Sequence, residues 1–182
     1  MIRNPFRRED ARRRAIEALH IRINAAARVP ALYLALGVPD TVEGRFEALC
    51  LHVVLVLRHL RRLPAPAADV AQDLVNSVFE QLDSSLRELG VGDMGVSKRM
   101  KKLAQAFYGR ASAYDAALDA GDRDGLEATL ARNVLAREEP EAARGLAAYV
   151  AAADAALAAT DLDALMAGPV LPDPAGFAAG PA

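Results

Sequence analysis

At 182 residues the chain has the length of one domain with a real core. Hydrophobic residues make up 53%, aromatics only 5% and tryptophan is absent, so Ala-rich helices packed through Leu and Val are expected. The net charge of −2 and a pI of about 5.9 argue against a wholly basic nucleic-acid binder. The charge is nevertheless polarised: residues 1–110 hold 18 Lys/Arg against 12 Asp/Glu, residues 111–182 hold 4 against 12. Such an asymmetry either orients a protein on a charged partner or membrane surface, or draws the two ends together within the fold.

A single cysteine, Cys50, rules out an intrachain disulfide and suits a reducing, cytoplasm-like compartment. No secretory signal is read after Met1. The longest apolar stretch, Ala48 to Leu57, is broken by His52 and is far shorter than the roughly 20 residues of a membrane span.

In chain order, Arg7 to Arg28 carries Ile16, Leu19 and Ile23 at helical steps beneath a basic face. A short helix over Pro30 to Leu36 is expected to stop at Gly37. Asp40 as N-cap with Glu43 three residues on predicts a helix running to about Leu63, where Pro64 and Pro66 end it. That helix is apolar almost all round between Leu49 and Leu57, which marks it as the central one. Val70, Leu74, Val78, Leu82 and Leu86 predict the next, over Ala67 to Leu89. After a glycine-rich loop, Gly90 to Gly95, a helix is expected over Val96 to Ala120. Asp122 caps another over Arg123 to Arg137, Pro140 opens one from Glu141 to about Ala159, and a short turn of helix follows Thr160. No fixed-period repeat is present. The expectation is an all-α fold, an irregular bundle of six or seven helices forming one domain over residues 1–167. Residues 168–182, rich in Pro and Gly, are expected to be a disordered tail.

The helix from Val96 partitions cleanly. Val96, Met100, Leu103, Ala104, Phe107, Ala111, Tyr114 and Leu118 share one face, with Lys98, Lys102, Gln105 and Gly109 opposite. Arg99 and Arg110 line one flank, Lys101 and Tyr108 the other. A mid-helix glycine costs about 1 kcal/mol relative to alanine. Gly109 therefore signals close approach by another backbone, a bend, or packing on a neighbouring helix. Tyr108, flanked by cations, either anchors a partner or extends the core with its hydroxyl in water.

The block Leu86 to Asp93, with Lys98-Arg99-Met100-Lys101-Lys102 and Ala106-Phe107-Tyr108-Gly109-Arg110, resembles the ubiquinol–cytochrome c chaperone family. Gly44-Arg45-Phe46-Glu47 and Leu55-Val56-Leu57-Arg58 are similar to it too, so the resemblance spans roughly residues 30 to 120. It implies an all-helical, bacterial-type factor that binds newly made cytochrome b and promotes assembly of the cytochrome bc complex, respiratory complex III. Partners implied are cytochrome b as client, with the ribosome, a small partner protein and peripheral contact at the inner face of the inner membrane left open, and no specific DNA. The expected location is cytoplasmic, including that membrane face.

No catalytic motif, cofactor fingerprint or metal-ligand spacing is read. His52 and His59 lie seven apart, and with His20 they are expected to be satisfied core or boundary residues. The candidate partner-binding residues are Lys98, Arg99, Lys101, Lys102, Tyr108, Gly109 and Arg110, with Asp93 shaping or capping the loop before them. A generic helical adaptor, or a nucleic-acid- or ribosome-associated protein using the same basic helix, is the alternative.

Overall fold

The computed structural model describes residues 5–178. Six α-helices of eight residues or more carry the bundle: α1 (Pro5–Ala26), α3 (Val42–Leu60), α4 (Ala67–Glu88), α5 (Asp93–Ala120), α6 (Arg123–Leu130) and α7 (Arg144–Ala158). Two short ones, α2 (Pro30–Leu34) and α8 (Leu162–Ala167), fill corners. The helix α3 is the axis, as its all-round apolar sequence predicts: the run Cys50 to Leu60 is buried without a break. Around it pack α1 through Leu19 and Ile23, α4 through Val70 and Leu74, α5 through Phe107 and Tyr114, and α7 through Tyr149 and Val150.

Four local details depart from the sequence expectation. Thr41, not Asp40, caps α3, its hydroxyl accepting from the Gly44 amide at 3.0 Å; Asp40 instead pairs with Arg45 at 2.7 Å. The helix α5 begins at Asp93, three residues earlier than expected, because Asp93 favours the positive end of the helix and Gly95 leaves room for the Val91 side chain. The helix expected to run to Arg137 is α6 only as far as Leu130. It continues as one π turn, Ala131–Leu135, and ends at Ala136 in the left-handed conformation. Pro140–Ala143 forms a 3₁₀ turn before α7.

The largest departure is the C-terminal stretch. Residues 168–178 pack, where a disordered tail was expected; 179–182 lie outside the described residues. Asp173 accepts from the Ala175 amide and opens a 3₁₀ turn, Pro174–Phe177. The Phe177 ring meets Tyr149 edge-on at 5.8 Å, and Leu171 also packs on the core. Pro174 is buried as well, and prolines that restrict the chain reduce the entropy lost on ordering. Gly145 on α7 admits the Phe177 carbonyl, which lies 2.5 Å from where a Cβ would stand.

The histidines sit in the interior as expected, but only His52 is bonded at both ring nitrogens; Nε2 of His20 and Nδ1 of His59 are buried without a partner among the described residues. His52 donates from Nδ1 to the Ala48 carbonyl at 2.7 Å, and its Nε2 accepts from the Tyr149 hydroxyl at 2.8 Å. Burial holds its pKa below the ordinary value, outweighing the bond to Ala48, so the neutral ring is the form that fits. His59 donates to the Thr160 carbonyl at 3.0 Å, and His20 meets the Ser77 hydroxyl at 2.9 Å.

Candidate functional site

The hairpin α4–α5 ends in a fixed turn. Gly90 has φ +78°, the Val91 amide donates to the Leu86 carbonyl at 3.1 Å and the Gly90 amide to Arg87 at 2.9 Å, the two bonds of a Schellman motif. Arg87 then ties both strokes of the hairpin, reaching Asp83 at 2.6 Å and Asp93 at 2.5 Å. Asp93 thus bridges the turn by an ion pair from the first turn of α5.

Beyond the turn, one exposed stripe runs along α5: Met94, Lys98, Lys101, Gln105, Tyr108 and Ser112. Their alternating spacing of four and three keeps them on one side of the helix. Gly109 and Lys102 border it, and Arg99 is exposed on the flank. None of Lys98, Arg99, Lys101 and Lys102 pairs with a carboxylate among the described residues. Tyr108 is 57% exposed, its ring seated edge-on against Phe107 at 5.4 Å, which in turn meets Phe79 at 5.7 Å. A rigid aromatic stack therefore presents the tyrosine. A Cβ added at Gly109 would meet nothing within 4 Å, so no neighbouring helix among the described residues explains that glycine.

Arg110 is the residue the structure moves off this surface. It forks onto Glu47 of α3, with Nη2 2.5 Å from Oε1 and Nε on Oε2. Burial raises the Glu47 pKa, and the hydrogen bonds and charge of Arg110 oppose that rise. The fork joins two segments that the sequence resemblance had linked only by likeness, 44–47 and 106–110. Its job is to fix α5 on α3 directly behind Gly109 and Tyr108. Met94 (90% exposed) and Leu89 (76%) were missed; extending the four-three spacing back from Lys98 would have found Met94.

Elsewhere the buried charges are tied down within the chain. Arg58, 4% exposed, contacts Asp115, Asp119 and Asp154, joining α3, α5 and α7. An open cleft of about 380 Å³ at the α2–α3 corner is lined by Arg28, Tyr33, Leu34 and the Asp40–Arg45 pair. Burial, with the nearby Glu47 charge adding to it, pushes the Cys50 thiol well up, so it stays protonated.

Fold and surface together define an all-helical protein whose central helix is buried and whose α5 presents a cationic, aromatic-bearing face. The chain belongs to the ubiquinol-cytochrome C chaperone family, whose model matches residues 34–172. The match runs well past residue 120, through α7 and into the packed tail. The fold is similar to the crystal structure of the Cbp3 homolog from Brucella abortus, with 41% sequence identity and a TM-score of 0.83. That similarity covers 96% of this chain and 98% of the other. No curated protein matches the chain.

Proposed function

We propose that the chain holds newly made cytochrome b against the outward face of α5 and delivers it to the assembling cytochrome bc complex. The observation that carries this reading is Gly109, a glycine in mid-helix with open space where its side chain would be. The fold loses about 1 kcal/mol there and gains no internal contact in return. An apolar client helix, by contrast, gains close backbone approach at such a position, as small residues permit between packed helices. Tyr108 beside it supplies a preordered aromatic anchor, and the unpaired cations steer and orient the client. Membership of the family and the likeness to the Cbp3 homolog support a chaperone role in assembly of that complex.

The same exposed cations favour a second reading, contact with ribosomal RNA, which salt would weaken steeply. A photoreactive amino acid in place of Tyr108, activated in living cells, separates the two. Crosslinking to cytochrome b is expected. Crosslinks to ribosomal components alone would favour the second reading, and normal levels of assembled bc complex after gene deletion would sink the first.

A further inference from the structure

The turn between α4 and α5 carries two large aliphatic side chains in water, Leu89 at the end of α4 and Met94 in the first turn of α5. Other exposed aliphatics have different surroundings. Leu34 lines one cleft with the Asp40–Arg45 ion pair, and Ile21 lies beside Arg22, whose guanidinium donates to the Met166 carbonyl at 2.8 Å. At the hairpin tip the neighbours are Lys98, Arg99, Lys101 and Lys102, with no ion-pair partner among the described residues. Of the acids nearby, Asp83 and Asp93 hold Arg87, while the exposed Glu88 accepts only from the Ser84 hydroxyl.

We propose that this hairpin tip docks the protein onto an anionic phospholipid surface, Leu89 and Met94 entering the interface and the four cations resting among the headgroups. The spacing fits the depth of a bilayer interface. On α5, Lys98 lies about 6 Å and Lys101 about 10 Å behind Met94, on the same side of the helix. With the tip inserted by the 5–10 Å or so typical of interfacial elements, both ammonium groups fall at phosphate level. The tip is also preformed, by the Schellman bonds, the Arg87 bridges and Val91 seated under Gly95, so little ordering accompanies docking. The aliphatic tip favours lipid over RNA, because single-stranded nucleic acid is gripped by stacking on aromatic rings. The inference does not depend on which client α5 holds.

Flotation of the full chain with vesicles tests it. Binding is expected to a roughly 2:1 mixture of phosphatidylcholine and phosphatidylglycerol, with loss on pure phosphatidylcholine and weakening with salt. The double variant Leu89→Ser/Met94→Ser keeps its fold, since both side chains are exposed, and is expected to bind about tenfold more weakly. Lys98→Glu/Lys101→Glu is expected to lose at least as much. An environment-sensitive dye on Met94→Cys should shift to the blue with the anionic vesicles, Cys50 being buried. Absence of wild-type binding, or equal binding by the tip variant, overturns the proposal. So does loss of cytochrome b co-purification in the tip variant with vesicle binding intact, which would assign the tip to the client. Because the vesicle assay contains no cytochrome b, its outcome is separable from the client reading.

Discussion

The seam between α3 and α7 and the outward face of α5 use the same residue types to opposite ends. In the seam three special residues find their partners within the chain: Gly145 makes room for the Phe177 carbonyl, Arg58 is surrounded by three aspartates, and His52 is bonded at both nitrogens. On α5 the corresponding residues have none: Gly109 faces open space, and Lys98, Arg99, Lys101 and Lys102 face water. A glycine or a cation is therefore structural or functional according to whether the chain itself supplies the contact. The seam is where changes should unfold the protein; the α5 face is where they should disarm it.

The largest effect should come from Arg58→Met. It removes the buried partner of Asp115 and Asp154, only 23% and 16% exposed, leaving them the half-exposed Arg61 and Arg62, and a loss of about 2–3 kcal/mol is expected from the urea midpoint. The same change at Lys98 should move stability by less than about 0.5 kcal/mol. If the two variants unfold alike, the contrast between the regions fails. Next comes Gly145→Ala. Alanine normally helps a helix, but here its Cβ would press on the Phe177 carbonyl and on Leu36 at 3.2 Å. A loss of about 1–2 kcal/mol is expected, with faster proteolysis of the C-terminal stretch as the tail is displaced. Unchanged protection of that stretch would mean the tail contact is dispensable.

Titration sharpens the same division. Burial holds the His52 pKa below the value it regains on unfolding, so at low pH the unfolded chain binds more protons. The stabilisation from a neutral His52 is full above about pH 7 and declines as pH falls from about 6.5 toward the folded pKa. His20, also lowered chiefly by burial, acts in the same direction. Glu47 acts oppositely, its pKa raised by burial, so its contribution is present at low pH and lost as pH rises through the folded value. Comparing wild type with His52→Gln cancels the other two. The fall in melting temperature between about pH 7 and 5.5 should be shallower in the variant. Equal slopes would place the pH dependence elsewhere.

Much of this division was legible in sequence, and the failures share a cause. The periodicity of Ile16, Leu19 and Ile23, and the all-round apolar run of α3, are local properties, and the structure follows them. So does the inner face of α5, with Val96, Phe107 and Tyr114 buried. The outward position of Lys98, Lys101, Lys102 and Tyr108 follows from the same helical geometry. Arg110 could not be placed this way, because what removes it from the surface is Glu47, 63 residues earlier. The tail misled for a related reason: Pro/Gly content describes the chain's stiffness and says nothing of a distant glycine shaped to receive it. Met94 was lost to a boundary, since a helix started at Val96 leaves out the first member of its exposed stripe.

The smallest effect is also the most discriminating. Gly109→Ala adds a Cβ into open space on an exposed helix, so the protein should gain up to about 1 kcal/mol, read as a higher melting temperature. A gain here beside a loss at Gly145 would establish that one glycine serves the fold and the other does not. The client reading adds a second expectation for the same position. Gly109→Leu should keep the fold but reduce capture of cytochrome b, because the larger side chain occupies the space a client backbone needs. A stable variant with undiminished capture would leave the glycine without a binding role, and would move the client contact to Tyr108 and the flanking cations.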